Sequence, residues 1–195
     1  MDELLRSLIC AGGISGYEGD VAHIMRTSLA KVCDNVETDR FGNVIAKKGS
    51  GKKKIMICAH MDEVGFVVKH ISKDGFIYFV KIGGIDDRVL PAQRVVIKSS
   101  RGDCLGVIGS KPPHLQKEEE RKLPPKYEDM YIDIGCKSRE EALEKVAIAD
   151  PIIFDPVCTA LGDSLFLGKA VDDRVGCYAL VRIMENLAVD ATVYA

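Results

Sequence analysis

Two short acidic motifs, far apart in the chain, each follow an apolar run with the length of a strand. Residues 59–63 (Ala-His-Met-Asp-Glu) follow the run 55–58, and residues 170–174 (Ala-Val-Asp-Asp-Arg) follow the run 165–167. In α/β enzymes, binding and reacting residues are concentrated at the ends of buried strands. The two motifs therefore predict an α/β fold in which two buried strands bring His and carboxylate side chains to one edge of the central sheet.

The composition is that of a globular protein with a sizeable core, since the 195 residues are 47% hydrophobic and 29% charged. The formal net charge of −2 gives no reason to expect a nucleic acid or an anionic membrane as partner. No apolar run approaches the roughly 20 residues of a membrane helix, and no signal peptide is recognisable. The seven cysteines form no Cys-x-x-Cys pair, which argues against a disulfide framework. We therefore expect a cytoplasmic protein with no membrane and no nucleic-acid partner.

The spacing of apolar residues changes twice along the chain, which indicates two domains. Residues 1–69 show apolar residues at helical spacing and the patterns of short strands. Residues 163–195 show the patterns of a strand, a helix and a further strand. Between them, residues 70–162 show short β segments separated by Gly and Asp turns. We predict an α/β domain with a mixed sheet, made of the two outer segments and interrupted by a β-rich, barrel-like insertion.

Local signals predict where several elements begin and which faces they bury. Ser-x-x-Glu capping boxes predict helices that start near Ser15 and Ser138. We expect the strand at residues 192–195 to form an exposed sheet edge. An apolar stripe predicts the buried face of a late helix through Val175, Tyr178, Ala179, Arg182, Ile183 and Leu187.

A His-x-Asp pattern at a strand end is typical of a metal ligand, because one ring nitrogen of His60 can bind the metal while Asp62 holds the other. Alone the pattern is weak, and a hydrogen-bonded histidine without metal explains it equally well. The pair Asp172 and Asp173 strengthens the metal interpretation, since a carboxylate can bridge two cations about 3.5–4 Å apart. A helix cap explains the same pair, and the two roles are compatible. His and carboxylate ligands suit zinc, cobalt or manganese.

Five segments, in order along the chain, resemble the signatures of the M42 metallo-aminopeptidases. They are residues 15–18, 39–43, 57–66, 109–114 and 168–176. The resemblance implies a hydrolase of the cytoplasm that binds two divalent metal ions and removes amino-terminal residues from peptide substrates. It also implies a large homo-oligomer, in which the insertion serves dimerisation.

The resemblance further implies roles for individual residues. His60 matches a metal ligand and Asp62 the carboxylate that orients it, while Asp172 matches the bridging metal ligand. Asp173 matches a supporting neighbour that follows a cis peptide bond. The family's Glu-Glu pair, which supplies the general base and a ligand, and its further Asp and His do not occur in these 195 residues. We therefore expect the chain to represent the amino-terminal part of such an enzyme and to be inactive alone.

Other functions remain as alternatives. A non-catalytic assembly or binding module derived from such an enzyme is favoured by the missing ligands. A glycoside hydrolase would need two carboxylates facing each other across a sugar, whereas Asp62 and Glu63 are adjacent and point to opposite faces of an extended chain. A serine hydrolase is weaker still, because residues 13–16 (Gly-Ile-Ser-Gly) are one residue short of a nucleophile elbow.

Overall fold

The computed structural model describes residues 2–115, 118–188 and 190–195. The chain divides into two compact units, one formed by Met1–Glu63 with Pro156–Ala195 and the other by Val64–Asp155. The first unit combines helices with a mixed sheet, and the second is a closed six-stranded barrel. The predicted fold class, an α/β domain with a barrel-like insertion, is confirmed.

The helices of the described residues are α1 (Glu3–Cys10), α2 (Gly19–Leu29), α3 (Glu118–Arg121), α4 (Arg139–Leu143) and α5 (Val171–Asn186). The strands are β1 (Asn35–Thr38), β2 (Val44–Lys48), β3 (Lys54–Met56), β4 (Gly65–Ile71), β5 (Ile77–Ile82), β6 (Arg94–Ser99), β7 (Gly102–Gly109), β8 (Tyr131–Asp133), β9 (Pro151–Phe154), β10 (Cys158–Leu161), β11 (Leu165–Gly168) and β12 (Thr192–Tyr194). Among the described residues, no helix has both the length and the apolar character needed to cross a membrane.

The sheet of the first unit has four strands in the order β1-β2-β12-β3. Strand β12 lies antiparallel to β2 and parallel to β3, so the expectation of an exposed edge at residues 192–195 was wrong. The edge strand next to β12 is β3, and all three of its residues are exposed. The prediction of a buried strand at residues 55–58 was therefore also wrong, because β3 pairs with β12 on one side alone within the described sheet.

Helices α1, α2 and α5 pack together with the sheet to form the core of the first unit. Helix α2 buries Val21, Met25 and Leu29 at helical spacing. In α5 the predicted stripe was wrong, since Val175 and Ile183 are 39% and 40% exposed. This helix carries apolar residues on two faces, and the neighbouring face is the one that packs. Its buried residues are Arg174, Cys177, Leu180, Val181 and Met184.

Strands β10 and β11 form a separate antiparallel hairpin in the first unit. The apolar run at residues 165–167 lies in β11, where Leu165 and Leu167 are 68% and 54% exposed. A buried strand of the central sheet was predicted here, and that prediction was wrong because β11 pairs with β10 instead. The second acidic motif nevertheless follows β11 directly and leads into α5.

The second unit closes into a barrel with the strand order β4-β5-β8-β7-β6-β9. Its last strand, β9, pairs antiparallel with both β4 and β6 and so removes the open edges. Inside the barrel, the Phe66 ring packs edge-to-face on Phe79 and Phe154, with centroid distances of 4.8 and 5.3 Å. The expectation that this unit serves dimerisation stays a prediction.

The short helix α4 begins with the predicted cap. Ser138 Oγ accepts a hydrogen bond from the Glu141 backbone N–H at 3.2 Å, which satisfies one of the donors left free at a helix start. The capping serine predicted at this position is confirmed.

Candidate active site

The two acidic motifs meet at the ring of His60. His60 Nδ1 lies 3.0 Å from Asp62 Oδ1, within the first motif. His60 Nε2 lies 3.0 Å from Asp172 Oδ1, which belongs to the second motif. The ring therefore sits between two carboxylates, and the prediction that His60 and Asp172 come together is confirmed. The hairpin strand β11, rather than a strand of the central sheet, leads to Asp172.

Asp172 and Asp173 differ in conformation from the rest of α5. Both have non-helical backbone angles, and the peptide bond between them is cis, as the resemblance implied. Asp173 Oδ1 accepts a hydrogen bond from the Gly176 N–H at 3.0 Å and so caps the first turn. The Asp172 side chain is 95% exposed, which leaves its second oxygen accessible. The two carboxylates thus divide the roles of helix cap and site residue.

Ser15 contributes to the site, which the sequence analysis missed. Its Oγ donates a hydrogen bond to Asp62 Oδ2. The predicted helix cap at Ser15 was wrong, because α2 begins at Gly19 with Glu18 at the cap position. Glu18 Oε1 instead accepts the Gly16 N–H at 2.8 Å. The signal that points to Ser15 is its place in a segment that resembles the family.

Hydrogen bonds around His60 set the charge state of the site. The Ser15 hydroxyl lowers the pKa of Asp62, partial burial opposes this effect, and His60 adds to it. An ionised Asp62 can accept but not donate, so the hydrogen bond with Asp62 places a proton on Nδ1 of the ring. Burial lowers the pKa of His60, but the hydrogen bonds with Asp172 and Asp62 outweigh burial and raise it overall.

Helix α5 also holds the backbone of the first motif. The Cys177 side chain is buried, and its thiol donates a hydrogen bond to the His60 carbonyl oxygen with a sulfur–oxygen distance of 3.3 Å. Burial raises the pKa of Cys177 to about 11. The group therefore remains a protonated donor at neutral pH, and it links α5 to the segment that carries the His60 ring.

Three charged residues in or next to the motifs form a buried charge cluster. Glu63 Oε1 lies 2.7 Å from Lys169 Nζ and 3.5 Å from Arg174 Nη2. The side chains of Glu63, Lys169 and Arg174 are 3%, 8% and 0% exposed. Burial lowers the pKa of Lys169 and of Arg174, and the Glu63 carboxylate opposes that effect. The cluster was not predicted from the sequence, although Glu63 and Arg174 end the two motifs and Lys169 directly precedes the second.

A cleft of about 470 Å³ opens beside the His60 ring. His60 and Asp62 line it together with mainly apolar side chains from α2 and the sheet, among them Met25, Leu29, Ile57 and Tyr194. This volume lies within the usual range of small-molecule pockets. The ring is thus accessible from a partly apolar cleft.

The geometry of the pair His60 and Asp172 fits two positions of a metal coordination shell. Their facing atoms are 3.0 Å apart. Two ligand atoms bound to one zinc ion at about 2.1 Å are roughly 3.0–3.4 Å apart for bond angles of about 90–110°. Across the described residues, however, no group of three His, Cys, Asp or Glu side chains converges to hold a metal ion. A catalytic zinc site uses three protein ligands, which is one more than the two side chains that meet here.

Comparisons with known proteins agree on one family. The family model for M42 glutamyl aminopeptidases matches residues 42–195. Lysyl aminopeptidase from Pyrococcus furiosus is 36% identical over 188 residues, which cover 95% of this chain and 54% of that enzyme. Among solved structures, the TET aminopeptidase from Thaumarchaeota archaeon SCGC AB-539-E09 has a TM-score of 0.94 and 38% identity, covering 98% of this chain and 56% of that one.

A second solved structure adds information on assembly in a relative. The TET1 peptidase of Pyrococcus horikoshii, which can assemble into a tetrahedron or a large octahedral shell, has a TM-score of 0.87 and 35% identity. The match covers 98% of this chain and 58% of that one. The chain spans about half the length of the curated relatives it matches. With the match of the family model over most of its length, the chain belongs to the M42 glutamyl aminopeptidase family.

Proposed function

We propose that the chain forms part of the catalytic unit of a metal-dependent aminopeptidase, in which His60 and Asp172 bind metal and Asp62 orients His60. The observation that carries this proposal is the His60 ring between two carboxylates, each 3.0 Å away. Asp62 holds Nδ1, which leaves Nε2 directed toward Asp172 and suited to a metal ion. Membership of the family supports peptide hydrolysis as the reaction.

Two divalent cations suit this set of donors, with zinc, cobalt and manganese as candidates. His60 would hold one of them, and the exposed carboxylate of Asp172 has two oxygens with which to bridge both. Asp173, whose carboxylate caps α5 through Gly176, would support the site without ligating. When bound, such cations would supply Lewis-acid activation of a peptide carbonyl and of a water molecule.

We also propose that these 195 residues do not complete the site. Beyond the missing third ligand, the reaction needs a proton acceptor, which commonly contributes about 10²- to 10⁴-fold in rate. Glu63 lies next to the site but is buried and paired with Lys169 at 2.7 Å, so it is not available to accept a proton from water. Hydrolysis of peptides by the isolated chain is therefore expected to be negligible.

Assembly into a homo-oligomer is proposed for the complete protein. The support is the TET1 peptidase of Pyrococcus horikoshii, a relative that can assemble into a tetrahedron or a large octahedral shell. The barrel unit is proposed as the dimerisation surface. Light scattering on the protein with and without residues 64–155 measures the contribution of that unit to assembly, and an unchanged oligomer without it would contradict the proposal.

Calorimetric titration with zinc, cobalt and manganese tests the metal site. The unaltered chain is expected to bind at least one of these ions, and His60→Ala and Asp172→Ala are expected to lose binding. His70→Ala is the matched control, since this histidine lies on β4 of the barrel unit, and it should bind as the unaltered chain does. Equal binding in all variants would contradict the metal site and favour a non-catalytic module.

An aminoacyl reporter substrate tests whether the site is complete. The expected result is no turnover above background with any of the three metals. Turnover by a monodisperse sample, abolished by a chelator and by His60→Ala, would show that the chain supplies the missing groups by itself or as an oligomer.

A further inference from the structure

The buried charge cluster links the two motifs through side chains that neither ligate nor react. Glu63 follows Asp62 in the chain, and Lys169 and Arg174 stand on either side of residues 170–173. We propose that the cluster of Glu63, Lys169 and Arg174 sets the position of His60 relative to Asp172, so that its members are positioning residues of the site. The cluster would thereby affect metal affinity, and this part of the inference rests on the proposed function.

The two cations of the cluster fasten the second motif to the end of α1. Arg174 Nη1 donates hydrogen bonds to the carbonyl oxygens of Leu8 at 2.6 Å and Ala11 at 3.1 Å. Lys169 Nζ donates to the same Ala11 carbonyl at 2.9 Å. Because one cation precedes and the other follows residues 170–173, both ends of this segment are fixed to the same carbonyl oxygen.

Glu63 fastens the first motif to the loop that follows α1. Its backbone N–H donates to the Gly13 carbonyl at 2.8 Å, and its Oε1 accepts the Gly13 N–H at 3.2 Å. Two residues further along this loop, Ser15 donates to Asp62. The loop at residues 11–15 therefore contacts the first motif through Glu63 and Asp62, and it contacts the second motif through Arg174 and the preceding Lys169. A change at the cluster alters all three segments together.

Stability alone is a poor explanation of this cluster. Removing charges from water costs about as much as a buried ion pair returns, and apolar replacements are often neutral or stabilising. Here two cations share one carboxylate, and Arg174 Nε and Nη2 have no hydrogen-bond acceptor among the described residues. Packing is also tight, since a Cβ at Gly13 would lie 3.1 Å from Arg174 Nη2. What the charged groups add over apolar ones is a set of directional contacts with fixed lengths.

The variant Lys169→Met separates positioning from folding. It leaves one carboxylate with one guanidinium, so the remaining buried charges balance, and it replaces the lysine stem by an apolar side chain of similar length. The contact between Glu63 and the start of the second motif is lost. Lys81→Met is the matched control, because Lys81 pairs with Asp87 at 2.6 Å in the barrel unit. Lys169→Leu, which also removes the donor, replaces Lys169→Met if that variant does not fold.

The first measurement is the dissociation constant for Co²⁺, by competition with a chelating dye. Loss of a residue that positions a metal ligand commonly weakens affinity about 10- to 100-fold. That loss is expected for Lys169→Met at an unchanged denaturation midpoint, whereas Lys81→Met should bind as the unaltered chain does. The Co²⁺ absorption spectrum should change with the affinity, because the ligand geometry changes.

The second measurement needs no metal. The chain has four histidines, and the ring ¹⁵N signals of His60 are those that disappear in His60→Ala. In the metal-free chain the His60 ring should give a single set of narrow ¹⁵N signals. We expect Lys169→Met to broaden or split these signals and Lys81→Met to leave them unchanged. If the unaltered chain binds no metal while Lys169→Met disturbs the ring, the metal site fails and the positioning role stands. Ring signals unchanged in Lys169→Met would overturn the proposal, as would a Co²⁺ affinity that stays within about twofold where metal binds.

Discussion

Ser15 and Asp62 are joined by a hydrogen bond from the serine hydroxyl to Oδ2 of the carboxylate, whose other oxygen faces the His60 ring. A hydroxyl from the loop between α1 and α2 therefore helps to orient a histidine that lies in a different segment. The ring in turn faces Asp172. Four side chains from three segments of the chain thus form one continuous line of polar contacts.

Removal of that hydroxyl should weaken the site without unfolding the protein. In Ser15→Ala the Asp62 carboxylate loses the contact that contributes most to its lowered pKa, so this pKa should rise. The cost in unfolding free energy should be about 1 kcal/mol, the usual net value of one hydrogen bond. Metal affinity should fall up to roughly 10-fold. Calorimetry measures the unfolding free energy and the metal affinity, and carboxyl NMR measures the pKa of Asp62. Ser100→Ala in the β6–β7 turn is the control, and unchanged values in Ser15→Ala would show that Ser15 does not orient Asp62.

Glu63→Gln should destabilise the chain far more than Lys169→Met. The glutamine leaves two buried cations without a carboxylate, and breaking a buried pair in this way typically costs about 3–5 kcal/mol. The methionine leaves a balanced pair, so its cost should be close to zero. Urea denaturation gives both free energies. Similar losses for the two variants would show that overall charge balance does not govern the stability of this cluster.

Acid stability should depend in part on Asp86. Its hydrogen bonds from Arg88 lower its pKa from 3.8 to about 2. Because the folded-state pKa is depressed, the ion pair stabilises the protein above pH 3.8, and the contribution disappears as the pH falls through 2. In Asp86→Asn the unfolding free energy should therefore vary less steeply with pH in that window. The effect should be small because the pair is solvent-exposed. An unaltered slope, or an Asp86 titration by NMR that Arg88→Met does not shift upward, would exclude this pair.

The barrel unit should respond strongly to the loss of one aromatic ring. Phe66 is fully buried and packs on two further phenylalanines, so Phe66→Ala should cost roughly 3–5 kcal/mol. Leu105→Ala on β7 is the control, since Leu105 is 57% exposed, and its effect should be within about 0.5 kcal/mol. Unfolding followed by near-ultraviolet circular dichroism compares them, and equal effects would argue against the packing described for Phe66.

The sequence predicted the meeting of His60 and Asp172 from two strands that end at one edge of the sheet, and the side chains do meet, although β11 lies in a hairpin. It failed for Ser15, since Ser-x-x-Glu fits a helix cap as well as a site residue, and the choice depends on Asp62, which is distant in the chain. It failed for the buried charge cluster for the same reason. From the sequence alone, Lys169 and Arg174 are indistinguishable from solvent-exposed charges, because their partner Glu63 is distant in the chain.

Strand burial was predicted least well. An apolar run such as residues 55–58 indicates a strand but does not say how many neighbours that strand has. The structure places β3 at the edge of its sheet and β11 in a hairpin, whereas β12 lies in the middle. Pairing partners depend on the whole topology, so residues 192–195 could not be assigned to a central position from their own pattern.

The closure of the barrel by β9 places the two ends of residues 64–155 beside each other. Phe66, near the start of β4, pairs with Ile152 on the last strand. When the first and last residues of an inserted domain lie close together, the domain can be inserted without separating the residues on either side of the insertion point. We therefore expect that a short linker could replace residues 64–155 without changing the path of the chain on either side.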